Sequence, residues 1–397
     1  MDFSFTKKEE KFRQELRTWL ESNLPEGWLE GNRELPEDEK EYSTFLRNWQ
    51  KTLHEGGWAA IAWPKKYGGR DATLMEEIIY QQEMVRVKAP PLVNYVGLHM
   101  VAPTLMQIGT EEQKEEYINK ILIGEEVWCQ GYSEPNAGSD LAAIQTSAVK
   151  EGDKWIINGQ KVWTSFGHLA DRCFLLTRTS HKDKKHHGIT VFLLDMKQPG
   201  VETLPIVQMD GKKDFNEVYL NDAVAYDADI VGEVDEGWKV TMALLMHERT
   251  GIGAQVFTLE QQFEDLVTLT KELHVNDQPL IKDPFVRQKM VDFYTRFRGS
   301  LLNYYRHLTK TLKDGHPGAE GSMDKLMVSE LTKELFDYAV SVQGHQGILW
   351  KEDALVDSYW QDNFLQSFGM TIGGGTSEIL RNTIAERILG LPKDLGR

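Results

Sequence analysis

Apolar residues recur at helical spacing along the first third of the chain. Four positions separate consecutive members of two apolar sets, Phe12, Leu16 and Leu20 in one and Phe45, Trp49 and Leu53 in the other. Thr110 and Gln113 form the pattern of a capping box at the start of a further helix. Together these patterns predict an N-terminal helical domain over residues 1–127.

Within this domain, residues 93–106 form an unusually apolar segment that includes Tyr95, His99 and Met100. Such a segment is suited to line a cavity for an apolar substrate. The alternative is ordinary helix core, in which methionine and aromatic side chains fill gaps between helices.

The period of the pattern changes from helical to strand-like between residues 128 and 235. Four short runs rich in strand-forming residues are separated by glycine, asparagine, aspartate and charged turns, at residues 154–157, 173–177, 188–194 and 217–220. Asn158-Gly159 is a strong local signal for a two-residue hairpin turn, so we expect a hairpin there. Residues 128–235 are therefore predicted to form a small β domain inserted between helices.

Long helical stripes return after residue 236. Their apolar members are Ile252, Val256, Leu259, Phe263 and Leu266, then Met290, Tyr294, Phe297 and Leu301, then Met327, Leu331, Leu335, Tyr338 and Val342. Helices of this length with short connections pack antiparallel. Residues 236–397 are predicted to form a four-helix bundle with apolar surface left for oligomer contacts.

The charge of the chain excludes some classes of partner. With 45 basic and 61 acidic residues, the net charge is -16, which argues against nucleic acid and anionic membranes as ligands. The sequence holds two cysteines, and it begins with no pattern typical of a signal peptide and contains no apolar run long enough for a membrane span. We expect a cytoplasmic protein.

Two stretches are candidates for ligand binding. Residues 133–140, with the sequence SEPNAGSD, combine turn formers and hydroxyls, and such a loop offers hydrogen-bond donors to an acceptor-rich ring or a phosphate. Trp163 stands beside the hydroxyls of Thr164 and Ser165, which suits a flat polar cofactor. Taken singly, each stretch has an alternative: the loop as a plain surface turn, and Trp163 as a core residue.

The loop of residues 180–187 carries three histidines and three lysines. Asp183 is its only carboxylate and it has no cysteine, so we predict no metal site here. A solvated basic loop accounts for the composition, and attraction of a phosphate is the remaining alternative.

The segment YSEPNAGSD, followed after a short gap by INGQKVWTS, resembles the flavin-binding middle of the acyl-CoA dehydrogenases. Further matches occur at WPKKYGG, at GTEEQK, at the helix with Glu248-Arg249 and at GGGTSEILRN. The resemblance therefore extends over nearly the whole chain. It implies a mainly α fold with an inserted β domain, in which an N-terminal helical domain, a central β-barrel-like domain and a C-terminal four-helix bundle follow one another.

The resemblance also implies an activity. It is the FAD-dependent conversion of an acyl-CoA thioester to its trans-2-enoyl form in fatty-acid degradation, with electrons passed to an electron-transfer flavoprotein. The implied cofactor-binding residues are Gln130, Ser133, Trp163, Ser165, Gln343, Gly344, Thr376 and Glu378. Ser139 and Arg249 resemble residues that receive the CoA portion and shape the active-site helix, although Arg249 is equally suited to a salt bridge within its helix.

The chain departs from the common pattern of the family at the catalytic base. That base is a glutamate just before Gly-Thr in the C-terminal loop, where this sequence has Gly374. Members resembling isovaleryl-CoA and long-chain acyl-CoA dehydrogenases instead carry the glutamate on a helix, directly before an arginine, as Glu248 stands here before Arg249. The resemblance predicts Glu248 as the base and the backbone N–H of Gly374 as a donor to the thioester oxygen.

A second departure concerns assembly. The family usually has an Arg-x-x-Phe-Gly run that reaches the FAD pyrophosphate across a subunit interface, and residues 273–288 lack it. The candidate replacements for this contact to the pyrophosphate are Lys271, His274, Lys282 or a partner subunit. Similar sequences occur in mixed tetramers, so we expect a homotetramer or an α2β2 heterotetramer with a related subunit.

Two alternatives to the dehydrogenase activity remain: an acyl-CoA oxidase, and a non-catalytic subunit of a heteromeric acyl-CoA dehydrogenase. For the substrate, the glycines near Gly374 favour branched, cyclic or bulky acyl groups.

Overall fold

The computed structural model describes residues 5–33, 35–252, 255–314 and 318–393, without the side chains of residues 248–252. The chain divides into two compact units, Met1–Glu248 and Arg249–Arg397. Within the described ranges, no helix is both long enough and apolar enough to cross a membrane.

In the described part of the first unit, five α-helices precede the sheet: α1 (Lys7–Asn23), α2 (Glu39–Glu55), α3 (Leu74–Arg86), α4 (Ala102–Ile108) and α5 (Glu111–Ile123). Thr6, Thr73 and Thr110 cap α1, α3 and α5 with complete capping boxes. Each threonine hydroxyl accepts a hydrogen bond from an N–H group of the first turn that has no partner within the helix. The box predicted at Thr110 and Gln113 is confirmed.

The apolar faces predicted for α1 and α2 are largely buried, and α1 packs on α3. The apolar segment predicted to line a cavity contains a π-helical turn, Gly97–Val101, that leads into α4. Met100 lies in the core, whereas Tyr95 is 43% exposed, with its ring centroid 4.7 Å from that of His99. Met100 is therefore core, and a cavity-lining role remains a prediction for Tyr95 and His99.

Among the residues described, eight strands follow in this unit: β1 (Trp128–Gly131), β2 (Ser147–Glu151), β3 (Lys154–Ser165), β4 (Arg172–Arg178), β5 (Ile189–Asp195), β6 (Val201–Ile206), β7 (Phe215–Tyr226) and β8 (Ile230–Val231). They form one sheet in the order β6-β7-β3-β2-β4-β5-β8, with β1 pairing in parallel to β4. In the part of the chain that the structure describes, β6 and β8 are the outer strands, so the sheet is open and its likeness to a barrel is loose. Cys129 on β1 and Cys173 on β4 are paired in register and both are buried.

The hairpin turn expected at Asn158-Gly159 is wrong. The turn between β2 and β3 lies at Gly152-Asp153, and Asn158-Gly159 stands inside β3, which pairs with both β2 and β7. The Asn158 side chain exchanges hydrogen bonds with Asp222 at 3.0 and 2.9 Å. A Cβ on Gly159 would lie 2.7 Å from the Cα of Thr146, so glycine permits a close backbone approach at an irregular point of the pairing.

Helix α6 (Gly237–Ile252) follows the sheet. The second unit then contains α7 (Gln255–Glu272), a small hairpin of β9 (His274–Val275) and β10 (Gln278–Pro279), α8 (Pro284–Asp314), α9 (Gly321–Val342), α10 (Tyr359–Met370) and α11 (Ser377–Thr383). Helix α9 packs on α7, α8 and α10, and α7 packs on α8. Phe293, Phe297 and Phe336 are buried among these helices. The predicted mainly α fold with an inserted β domain and a C-terminal helical bundle is confirmed.

Candidate functional site

The loop of residues 133–140 follows β1 and is shaped by its own backbone. Glu134 and Ala137 donate hydrogen bonds to each other's carbonyl oxygens, both at 3.0 Å, which closes a tight turn. Ser133 is half-buried, and its carbonyl oxygen accepts a 2.9 Å hydrogen bond from the N–H group of Val162. The loop is thereby fixed to the far end of β3.

A buried ion pair also joins this loop to β3. The side chain of Lys161 is fully buried, and its Nζ donates hydrogen bonds to Glu134 Oε1 at 2.8 Å and to the Tyr132 carbonyl at 3.1 Å. The Glu134 carboxylate also accepts hydrogen bonds from the N–H groups of Gln145 at 2.6 Å and Thr146 at 2.9 Å. Burial acts to raise the pKa of Glu134, but Lys161 and the other donors outweigh it and lower that pKa. Burial lowers the pKa of Lys161, and the Glu134 carboxylate opposes the shift.

Trp163 lies in a bulge of β3. The pairing of β3 with β7 is irregular between Lys161 and Thr164, and Trp163 has a φ of +60°. A non-glycine residue in this left-handed region carries roughly 1–3 kcal/mol of strain, and such residues cluster at functional sites. The Trp163 side chain is 59% exposed, with its ring centroid 6.2 Å from that of Phe215 in an edge-on contact. The bulge therefore presents an indole to solvent, as a wall for a planar ligand requires.

The two hydroxyls predicted to lie beside Trp163 differ in access. Thr164 is 1% exposed, and its Oγ1 has no hydrogen-bond partner among the described residues, whereas Ser165 is only half-buried. Gln130 is also half-buried, on β1, which packs beside β3. The Val162 contact thus places the Ser133 backbone against the strand that carries Trp163 and Ser165. The Thr164 hydroxyl is withdrawn from the surface.

The basic loop of residues 180–187 is tied to the segment that contains Ser139. The Lys185 ammonium contacts both carboxylate oxygens of Asp140 at 2.7 and 2.6 Å. The Arg178 guanidinium donates to the carbonyl oxygens of Ala142 and His187, each at 2.7 Å. Ser139 itself is exposed. In the described ranges, no group of three or more histidine, cysteine or acidic side chains is arranged to hold a metal ion.

The predicted base and its neighbouring arginine lie at the end of α6. The backbone of Glu248 and Arg249 is helical, but both side chains lie outside the described residues. The preceding His247 is half-buried, and its Nε2 has no hydrogen-bond partner among the residues described. Burial lowers the pKa of His247, so its neutral form is favoured beside the predicted base.

In the second unit, Gly374 lies in a run of three glycines between α10 and α11. Gly374 and Gly375 have φ angles of +67° and +100°, a conformation that glycine adopts at little cost. Lys325 of α9 is 5% exposed, and its Nζ donates a 2.8 Å hydrogen bond to the Gly375 carbonyl. Thr376 caps α11 by accepting a hydrogen bond from the Ile379 N–H at 3.3 Å.

Three further residues that the resemblance assigned to the cofactor also lie in this unit. The Glu378 side chain is 79% exposed in the first turn of α11. Gln343 closes α9 and is 6% exposed, and its Nε2 donates to the Ala339 carbonyl at 2.9 Å. Within the described structure, Gln343 Oε1 is buried without a donor, and Gly344 follows with a φ of +59°. A buried acceptor of this kind is open to a hydrogen-bond donor from a ligand or another chain.

Two lysines that sequence reasoning missed, Lys161 and Lys325, lie beside predicted site residues. Each is a buried cation bonded to a backbone carbonyl next to a predicted site residue. Lysines are seldom fully buried unless they are paired, so neither is expected inside from its residue type. The available signal was the position of Lys161 within a run of strand-forming residues.

Comparison with known proteins accounts for nearly the whole chain. Models of the acyl-CoA dehydrogenase N-terminal, middle and C-terminal domains match residues 6–125, 129–223 and 235–389. The three matches occur in the order of the helical, β and helical parts described above.

Individual proteins agree with these matches. The acyl-CoA dehydrogenase IpdE1 of Mycolicibacterium smegmatis is 38% identical over 97% of this chain and 98% of that protein. Among solved structures, the Tcur3481-Tcur3483 steroid ACAD is 28% identical, with a TM-score of 0.86 over 99% of this chain and 100% of that one. The ChsE4-ChsE5 complex from Mycobacterium tuberculosis is 29% identical, with a TM-score of 0.85 over the same shares. This chain therefore belongs to the acyl-CoA dehydrogenase family of FAD-dependent oxidoreductases.

Proposed function

We propose that this protein oxidises an acyl-CoA thioester to the trans-2-enoyl-CoA and that an electron-transfer flavoprotein accepts the electrons. The reaction needs a base for the α proton, an acceptor for the β hydride, and donors that stabilise negative charge on the thioester oxygen. The observation that carries the proposal is the strained bulge that exposes the Trp163 indole beside the Ser133 loop. An exposed indole of this kind suits a planar cofactor in a chain of this family.

The residues present fit FAD, which when bound supplies the hydride acceptor. In the first unit, Ser133, Trp163 and Ser165 offer a hydroxyl-bearing loop, an exposed indole and a second hydroxyl, with Gln130 on the strand beside them. In the second unit, the residues that the family resemblance assigns to the cofactor are Gln343, Gly344, Thr376 and Glu378. The buried acceptor Gln343 Oε1, which has no donor among the described residues, supports that assignment.

Glu248 is proposed as the base that removes the α proton. Gly374 has no side chain at the position where many members of the family carry a glutamate, and Glu248 stands on α6 directly before Arg249. His247, with a pKa lowered by burial, adds no positive charge there at neutral pH. Arg249 and the exposed Ser139 are proposed to contact the CoA portion, and the Gly374 N–H to donate to the thioester oxygen.

We propose a bulky acyl group as substrate, cyclic and of the steroid type. The glycine run Gly373–Gly375 places no side chain in the loop, and the similar Tcur3481-Tcur3483 structure, which is called a steroid ACAD, supports the choice. This structure and the ChsE4-ChsE5 complex are each named for two chains, which supports assembly with a related subunit. Lys271, His274 and Lys282 are exposed around the β9-β10 hairpin, where they are available to the pyrophosphate of a cofactor.

Anaerobic titration of the flavin-loaded protein with a panel of acyl-CoA esters tests the proposal. The panel contains straight-chain, branched and steroid-type thioesters, and the loss of visible flavin absorbance is followed for each. We expect reduction by the bulky esters and slow turnover until an electron-transfer flavoprotein is added. Fast turnover in air without that acceptor would instead identify an oxidase, and a flavin that no thioester reduces would identify a non-catalytic subunit.

A further inference from the structure

Lys325 is a charged side chain in the interior of the second unit. It lies on α9, is 5% exposed, and donates a hydrogen bond from Nζ to the Gly375 carbonyl oxygen at 2.8 Å. Burial of an ammonium group is costly unless hydrogen bonds replace its water shell. A lysine kept inside against this cost is therefore expected to have a role in holding what it contacts.

The glycine segment that Lys325 contacts is intrinsically flexible, so contacts with the rest of the unit are needed to order it. Three consecutive glycines, Gly373–Gly375, join α10 to α11, and glycine loses more backbone entropy on ordering than any other residue. The start of the segment is fixed by its own backbone, because the N–H groups of Ile372 and Gly373 both donate to the Gly369 carbonyl, at 3.0 and 2.9 Å.

The far end of the segment is also bound to α9. The Ser377 hydroxyl donates to Glu330 Oε1 at 2.6 Å, and the Ser377 N–H donates to the Thr371 carbonyl at 3.0 Å. Lys325 and Glu330 therefore hold Gly375 and Ser377 from the same helix. The anchored Gly373 N–H group belongs to the peptide unit before Gly373, and the anchored Gly375 carbonyl belongs to the unit after Gly375. The two peptide units that flank Gly374 lie between these anchors, which limits their rotation although Gly374 and Gly375 are in left-handed conformations.

We propose that Lys325 is a positioning residue that aims the Gly374 N–H group at the thioester oxygen of the substrate. The inference rests on the proposed function, which makes that N–H a donor to the oxygen. Because Lys325 is buried and contacts the loop through the Gly375 carbonyl, its loss should leave substrate binding largely intact. It should weaken the hydrogen bond that matters most when negative charge develops on the oxygen.

The test compares Lys325→Met with a control on the neighbouring helix. Lys325→Met keeps much of the chain length and removes every donor, whereas Lys289→Met on α8 removes a part-exposed ammonium that lies 3.4 Å from Asp292. Lys325→Met is expected to lower kcat about 10-fold to 100-fold with KM within about 3-fold of the parent, as loss or misplacement of an oxyanion donor would. Lys289→Met should retain the parent values of both constants.

A spectroscopic readout separates positioning from a purely structural role. The carbonyl stretching frequency of a carbonyl-labelled enoyl-CoA bound to the enzyme reports how strongly its oxygen is hydrogen-bonded, and in Lys325→Met it should move toward the value in water. If Lys325→Met does not fold, Ser377→Ala, which removes the Glu330 anchor, should show the same direction of change. Parent kcat and parent carbonyl frequency in the folded variants would overturn the role of Lys325 alone. A parent enzyme that no acyl-CoA reduces would overturn the proposed function, and this inference with it.

Discussion

The Lys161 ammonium donates a 2.8 Å hydrogen bond to Glu134 Oε1 inside the β domain, and this bond joins the loop that carries Ser133 to the strand that carries Trp163. The pair is almost fully buried, so its two charges are held by each other and by nearby backbone groups. The relative position of the loop and the tryptophan therefore depends on an interaction that neither predicted site residue makes.

Removing one partner of this pair should be strongly destabilising. Lys161→Met leaves the Glu134 carboxylate buried with only two backbone donors, and the loss of one member of a buried pair costs about 3–5 kcal/mol. The exposed pair of Lys150 and Asp227, 2.7 Å apart, provides the control, since Lys150→Met should change the free energy of unfolding little. Urea denaturation measures both. Equal stability of the two variants would contradict the structural role of Lys161, and Lys161→Met/Glu134→Gln should recover part of the loss.

Trp163→Ala and Ser165→Ala should weaken or perturb FAD without unfolding the protein. Both side chains reach the surface at the end of β3, and the pairing of that strand with β2 and β7 does not depend on them. Flavin content after gel filtration and the visible absorption spectrum measure the effect, and far-ultraviolet circular dichroism checks the fold. If both variants have the spectrum and the flavin content of the parent protein, the assignment of this strand to the cofactor site is wrong.

Glu248→Gln should bind acyl-CoA and FAD and yet scarcely reduce the flavin. Loss of a general base typically costs about 10²-fold to 10⁴-fold in rate, and the amide cannot take the α proton. Stopped-flow measurement of flavin reduction provides the rate, with Glu272→Gln at the exposed end of α7 as the control. Gly374→Glu in the Glu248→Gln background should restore only part of the activity with a straight-chain substrate, because Gly374 has a φ of +67° that a glutamate adopts at a cost. Reduction by Glu248→Gln at nearly the parent rate would rule out Glu248 as the base.

FAD retention should depend on assembly with other subunits. The connection between α7 and α8 lacks the Arg-x-x-Phe-Gly run, and its candidate replacements Lys271, His274 and Lys282 are exposed. Native mass spectrometry of the purified chain, with and without a related subunit, counts flavins per assembly. We expect full occupancy only in the mixed assembly. A homotetramer with one tightly held FAD in every chain would show that no partner is needed.

The helical part of the first unit should lose stability in acid through Glu83. This carboxylate is 2% exposed and lies 3.0, 2.7 and 2.7 Å from Arg13, Arg17 and Arg86. Burial acts to raise its pKa, but hydrogen bonds from the three arginines lower the pKa to about 2. The folded pKa is below the unfolded one, so the contribution is present above about pH 4.5 and is lost as the pH falls toward 2. Glu83→Gln should be less stable than the parent at pH 7, and this difference in stability should become smaller in acid. Thermal melts of both proteins at several pH values measure the difference. An equal difference at all pH values would contradict this.

Apolar periodicity predicted the helices well because each helix buries one face, as the buried Leu16 and Leu20 of α1 illustrate. The prediction failed at Asn158-Gly159 because turn propensity is local, whereas β2 and β7 pair with β3 on its two sides and keep that dipeptide extended. The positive φ of Trp163 and the burial of Lys161 follow from partners far along the chain. Lys161 meets Glu134, which lies 27 residues away, and no spacing rule connects them.

The two free cysteines, which face each other on β1 and β4, can report chemically on the opening of the β domain. Cys129 and Cys173, the only thiols in the sequence, are inaccessible in the folded sheet. The neighbouring Cys173 and burial raise the pKa of Cys129, and thiols react as thiolates. The native protein should therefore be inert to Ellman's reagent, and any slow labelling would measure how often β1 separates from β4. Because β1 leads directly into the Ser133 loop, the same rate should fall when FAD is bound.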